Sequence, residues 1–192
     1  AVFEEGDLQY VGVIPVGGAN ITNDLAIGLK TDPEVAEKVK LQHGSAVSRK
    51  ANEGVSVKQD NEVLTFSTEE IDEIIEARLE EIFDAVNKEL KKAGRAGRLP
   101  SGVVLVGGSS NLKGIADFAK KHLGVAARVG KATGFGGVAD DIDKPQFATA
   151  VGLMHIDAES GALHQGGKSK KAASGDTFKQ AGGFLKGIFG KF

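Results

Sequence analysis

The chain has 192 residues, 41% apolar and 26% charged, with a formal charge of −2. That balance fits an ordinary globular body and gives no overall basic field to attract nucleic acid. Cysteine is absent, which excludes disulfides and thiolate metal sites, and no apolar run nears the ~20 residues of a membrane-spanning helix.

In chain order, Ala1-Val2-Phe3 and Leu8 to Val16 predict a hairpin around the turn Glu4-Glu5-Gly6-Asp7. The opening in mid-strand, without Met, is read as the start of a fragment. Pro15 predicts an edge or an end for the second strand. Gly17 and Gly18 then make a corner at a strand end, with Asn20 or Thr22 as N-cap of a helix from about Thr22 to Gly28. A second helix is expected from Pro33 to His43, since proline suits a first helical turn.

From Ser45 to Phe66 valines alternate among charges, with turn residues at Gly54 and Asp60-Asn61. This predicts a small two- or three-stranded sheet. Ser67 and Glu70 have capping-box spacing and open a long helix. Its apolar stripe is Ile71, Ile74, Ile75, Leu79, Ile82, Phe83, Val86 and Leu90.

The run Val103-Val104-Leu105-Val106 predicts a strand buried on both faces. Gly107 and Gly108 form a second corner, and Ser109, Ser110 and Asn111 are N-cap candidates for a helix over Leu112 to Leu123. A strand end, a diglycine bend and a helix start can aim backbone N–H groups at a ligand; glycine for close packing alone is the competing reading. A short strand (Ala127 to Val129), a Gly- and Asp-rich loop (Thr133 to Lys144) and a helix (Phe147 to Ile156) follow. From Asp157 to Asp176 no periodicity is visible, which predicts a flexible linker.

Lys168 to Phe192 carries six lysines against one acid, Asp176, so this end could be a disordered, nucleic-acid-binding or membrane-contacting arm. On a helical wheel Phe178, Ala181, Phe184, Leu185, Ile188, Phe189 and Phe192 fall within an arc of roughly 140°, and Lys179, Lys186 and Lys191 lie away from its centre. An apolar face opposite cations is the pattern of an interfacial helix; docking on the protein's own core is the alternative. Four glycines, each costing ~1 kcal/mol of helix stability, predict a segment that is helical only when its Phe face is buried.

Other chemistry finds little support. Gly166-Gly167-Lys168-Ser169 lacks the earlier glycine of a phosphate loop, since that position is Ala162. The four histidines are scattered, and Asp140, Asp141 and Asp143 suit a solvated loop better than a metal site. Ser109 has no neighbouring base in sequence.

Two diglycine corners about ninety residues apart, flanking a small sheet and a long helix, resemble the second lobe of the actin/Hsp70/sugar-kinase superfamily. The runs Ile14 to Ala26, Ile74 to Arg78 and Val103 to Asn111, with the Phe/Lys tail, are similar to the bacterial cell-division FtsA family. The resemblance implies an α/β, actin-like (ribonuclease H-like) second lobe over residues 1 to 156, with an inserted α+β subdomain at about 45 to 78. It also implies a linker to residue 177 and an amphipathic membrane-targeting helix over 178 to 192. Gly17 and Gly18 would lie near the phosphates of ATP, bound with Mg2+, and Gly107, Gly108, Ser109 and Asn111 would form the adenosine corner. Glu37 and Lys40 would reach the adenine-ribose side.

By the same resemblance the inserted subdomain would receive the C-terminal tail of the tubulin homologue FtsZ. Arg49, Lys50, Lys58 and Arg78 would be its contacts, on the ground of charge alone. Copies would assemble into a filament held on membrane lipid, at the cytoplasmic side of the division site, with no nucleic acid involved. The family's first lobe and its Asp-Gly phosphate motif would precede Ala1. This chain is therefore expected to hold half a nucleotide site, neither hydrolysing ATP nor binding it tightly alone. A superfamily kinase lobe and a type IV pilus scaffold of the FtsA-like group are the alternatives.

Overall fold

A computed structural model describes residues 1–60, 62–133 and 142–164, with side chains through residue 158. The chain divides into two units, Ala1–Val129 and Gly130–Phe192, and the hydrophobic core described below belongs to the first. Three two-stranded sheets lie among the described residues.

Strands β1 (Val2–Glu4) and β2 (Asp7–Tyr10) pair antiparallel. Glu5 and Gly6 both adopt positive φ, 54° and 93°, the pair of left-handed residues that a type I′ hairpin turn requires. The strand predicted to reach Val16 ends at Tyr10. Residues 11–16 stay outside any strand, because no described segment offers them a ladder partner.

Helix α1 (Gly18–Gly28) starts four residues before the predicted Thr22. Neither Asn20 nor Thr22 is its N-cap. That position is Gly17, whose amide is held by the Asn20 carboxamide oxygen, reaching back at 2.9 Å. Helix α2 (Pro33–His43) has the predicted bounds, with Pro33 in its first turn.

Strands β3 (Gly54–Gln59) and β4 (Glu62–Ser67) pair antiparallel from Gly54↔Ser67 to Gln59↔Glu62, so the inserted sheet has two strands. Helix α3 (Thr68–Lys92) begins as predicted: the Ser67 hydroxyl accepts from the Glu70 amide at 3.4 Å. Every residue of its predicted stripe belongs to the core or packs against it, and Ile71 and Ile75 are fully buried. Burying each such side chain stabilises by about 1.5–3 kcal/mol, so this stripe fixes which way α3 faces. Ile21 and Leu25 of α1 are fully buried in the same core, α1 packs on both α2 and α3, and a bidentate Arg78–Asp24 pair ties α3 to α1.

Strands β5 (Val103–Leu105) and β6 (Ala127–Val129) are parallel and in register, Val103↔Ala127 to Leu105↔Val129. β5 is not buried on both faces. Val103 and Leu105 pack against the core, but Val104 is 47% and Val106 50% exposed, because alternate side chains of a strand point to opposite faces.

The predicted helix over Leu112 to Leu123 divides in two. Gly108–Asn111 is a 3₁₀ turn, and α4 (Ile115–Leu123) starts only after Gly114, whose φ of 77° breaks the helical path. None of Ser109, Ser110 and Asn111 caps α4. α4 meets α3 through Phe118 and Phe83, whose ring centres are 5.7 Å apart. The base of the insertion is strapped to this region. The Ala46 amide donates to the Lys113 carbonyl at 2.8 Å, Ser45 bridges Lys113, and a side chain at Gly114 would strike Val47.

In the second unit a 3₁₀ turn (Pro145–Phe147) leads into α5 (Ala148–His164). α5 runs past the predicted end at Ile156, so the first residues assigned to the linker, Asp157 to His164, are helical. Ala158, Glu159, Ala162 and Leu163 are sound helix formers even without an amphipathic period. The rest of the linker and the helix predicted over 178–192 lie outside the described residues. No described helix is long and apolar enough to cross a membrane.

Candidate functional site

The two diglycine corners come together. A side chain built on Gly18 would put its Cβ 2.3 Å from the Ser109 Oγ and 3.8 Å from the Lys40 Nζ. The N-terminus of α1 and the 3₁₀ turn after β5 therefore adjoin, and with Ser109 as it stands the space between them suits a glycine at position 18. Gly107 has φ 94°, a value that strongly favours glycine. A Cβ at Gly17, Gly107 or Gly108 would meet no heavy atom within 4 Å, so three of the four glycines border free space. Asn111 closes its own turn, donating from Nδ2 to the Gly108 carbonyl at 3.0 Å.

Glu37 and Lys40, one helical turn apart on α2, converge on the first corner. The Lys40 ammonium donates to the Gly18 carbonyl at 3.1 Å and to the Thr22 hydroxyl at 2.7 Å, and pairs with Glu37 Oε2 at 2.6 Å. The first two contacts are hydrogen bonds and the third is an ion pair. Thr22 was a cap candidate in the sequence. In the fold it is a buried member of the site, whose hydroxyl accepts from Lys40 and donates to Glu37 Oε2. Both contacts on Glu37 fall on Oε2. Its Oε1 accepts no hydrogen bond from any described residue, while the side chain keeps 43% exposure. The open hollow beside it, about 660 Å³, is lined by Ala19, Thr22, Asn23, Pro33, Glu34, Glu37, Lys38 and Lys40.

Burial alone would raise the Glu37 pKa, but the hydrogen bonds from Lys40 and Thr22, with the ammonium's charge, outweigh it and hold the carboxyl below its ordinary value. A carboxyl with a depressed folded-state pKa stabilises the fold above its unfolded-state value, and that contribution is lost as pH falls through the folded-state one. The urea midpoint of Glu37→Gln is thus expected to lie below that of the parent at neutral pH. The gap should close as pH drops below the ordinary glutamate range; a gap independent of pH would contradict the assignment.

The four cations chosen by charge sit in two different settings. Arg49 is folded onto Asp72, with Nη2 at 2.6 Å from Oδ1 and both Nε and the backbone amide at 3.0 Å from Oδ2. Arg78 is shared between Asp24 and Glu81. Both guanidiniums thus take part in internal ion pairs, whereas Lys50 and Lys58 are exposed. Asp143 pairs with Lys131 at 3.5 Å; Asp140 and Asp141 lie outside the described residues, as do Phe178, Lys179, Phe184, Leu185, Lys186, Ile188, Phe189, Lys191 and Phe192.

Comparison with known proteins matches this arrangement to one family. The family model described as "Cell division protein FtsA" matches residues 1–152. The cell-division protein FtsA of Bacillus subtilis is 42% identical over 160 residues, covering 81% of this chain and 35% of that protein. FtsA of Pseudomonas aeruginosa is 32% identical over 158 residues (80% and 38%), and FtsA of Escherichia coli K12 is 31% identical over 171 residues (83% and 41%). The chain thus spans about two fifths of the length of these relatives. Among solved structures, MreB5 of Spiroplasma citri bound to AMPPNP aligns with a TM-score of 0.65 at 17% identity, over 85% of this chain and 50% of that one. The same protein bound to ADP gives 0.58 at 17% identity, over 79% and 47%. The folds agree on an actin-like architecture, and the chain belongs to the FtsA family of cell-division proteins.

Proposed function

We propose that this chain forms the second-lobe half of an ATP site, within a filament-forming adaptor that holds the FtsZ ring to the cytoplasmic face of the membrane at the division site. One observation carries the nucleotide part: Gly18 and Ser109, 91 positions apart in sequence, adjoin so closely that a Cβ at Gly18 would fall 2.3 Å from the Ser109 Oγ. The free space beside Gly17, Gly107 and Gly108 suits phosphate and sugar approaching backbone. Glu37 Oε1 offers an acceptor to a ribose hydroxyl on the adjoining hollow. The two MreB5 structures that share the fold carry ADP and AMPPNP, which supports a nucleotide as the occupant.

The residues do not fit a Mg2+ site by themselves. No group of three or more acids and histidines gathers among the described residues, so a metal here would rest on the phosphates and on groups beyond them. With only half the site present, ATP affinity of the isolated chain should be weak, with a Kd on the order of 1 mM, about −4 kcal/mol. A calorimetric titration giving micromolar affinity would contradict the half-site reading.

The membrane part rests on the pattern of Phe178 to Phe192, whose Phe face and lysine flanks suit an anionic bilayer surface. Binding through a single such helix is reversible, and several helices on one polymer bind far more tightly. The family match over residues 1–152 favours this adaptor over the kinase lobe and the pilus scaffold. In a flotation assay with vesicles containing anionic phospholipid, the chain should rise with the lipid. The same chain lacking residues 177–192 should stay at the bottom; equal flotation of the two would reject the tether.

A further inference from the structure

We infer that Thr22 is a positioning residue that makes the site discriminate ribose from 2′-deoxyribose, by pinning one oxygen of Glu37 so that the other faces the hollow. The inference rests on the nucleotide reading above and adds to it a residue and a selectivity.

Thr22 is 8% exposed and sits on α1, while Glu37 and Lys40 sit on α2. A threonine hydroxyl has one hydrogen to give and lone pairs to receive. The Gly18 carbonyl, 3.2 Å from Oγ1, already takes a Lys40 N–H, so the assignment in which every group is served gives the Thr22 hydrogen to Glu37 Oε2. The Lys40 ammonium donates to the same Thr22 oxygen at 2.7 Å and lies against Glu37 Oε2 at 2.6 Å, so the three groups form one compact cluster. This cross-helix contact fixes the rotation of a carboxylate that is otherwise 43% exposed. Lys40 alone cannot do so, because a rotating ammonium is a point charge and pairs with either oxygen equally. With Oε2 engaged twice, Oε1 is the only outward acceptor of the carboxylate, and a sugar hydroxyl is the donor it would take.

A second consequence separates this role from simple packing. Valine has the shape of threonine without the hydroxyl, so T22V keeps the volume of the site while Glu37 loses the contact that orients it. Serine keeps the hydroxyl and drops only a methyl group.

The test is NMR titration of the chain with ATP and with 2′-deoxy-ATP, followed through backbone amides of α1 and α2, for the parent, T22V and T22S. A hydrogen bond from a neutral hydroxyl to a charged acceptor supports about a tenfold preference for ATP. That preference is expected in the parent and in T22S, and should fall to about unity in T22V, with deoxy-ATP affinity little changed. The amide spectrum reports whether each variant is folded; if T22V is not, T22A carries the same comparison. A parent that prefers ATP tenfold while the hydroxyl-free variant does so equally would overturn the positioning role and leave the nucleotide reading standing. A parent with no saturable response to either nucleotide would overturn both.

Discussion

Replacing Arg49 with alanine is expected to lower the stability of the first unit by about 3 kcal/mol, toward the lower end of what breaking a buried ion pair costs. Asp72 is the reason. Its side chain is 4% exposed, and three of its hydrogen-bond donors come from Arg49: Nε, Nη2 and the backbone amide. The variant keeps only the amide and strands a carboxylate without its cation. Because the Arg49 side chain itself is 31% exposed, water can partly replace the guanidinium, which keeps the loss below the ~5 kcal/mol extreme. The check is a urea melt of R49A beside D72N and the double variant R49A/D72N. The double variant should be less destabilised than the sum of the single ones; strict additivity would mean that the pair is not coupled. The same result bears on partner binding. For the proposed FtsZ-tail contact, loss of binding in R49A would follow from a damaged insertion base, so a test of that proposal by charge belongs to the exposed Lys50 and Lys58.

Gly18→Val is expected to weaken ATP binding at least tenfold, equivalent to about 1.4 kcal/mol or more. The first added carbon already lies 2.3 Å from Ser109 Oγ, and valine brings two methyl groups beyond it. Ser109 can rotate away from an alanine Cβ, so Gly18→Ala should be milder. The valine must instead separate the α1 N-terminus from the 3₁₀ turn. It also crowds the Lys40 ammonium, 3.8 Å from the same point. Adding Ser109→Gly removes the obstructing atom and should restore part of the affinity. If G18V binds ATP as the parent does in the NMR titration, the gap between the corners is not where the ligand lies.

The features read correctly from the chain are those set by local chemistry. Pro33 fixes the first turn of α2, and the Ser67–Glu70 spacing fixes the start of α3. The α3 stripe needs only its own period to reveal the buried face. Asn20 was misplaced because side-chain capping is usually sought at the N-cap itself; here Gly17 holds that position and Asn20 serves it from inside the helix. The β5 valines misled because four consecutive apolar residues cannot tell one covered face from two. The roles of Thr22, Arg49 and Arg78 were invisible for another reason. Their partners Glu37, Asp72 and Asp24 lie 15, 23 and 54 positions away, and charge alone cannot say whether a cation is already spent inside the fold.

The strap at the base of the insertion gives the molecule a shared seam. The Ala46 amide is sewn to the Lys113 carbonyl, two positions past Asn111, and Gly114 leaves no slack against Val47. A rearrangement of the turn around Ser109 must therefore either tear this stitch or carry the root of the β3–β4 hairpin along. The turn that borders Gly18 and the root of the β3–β4 hairpin are therefore fastened to each other through backbone alone, whatever side chains occupy them.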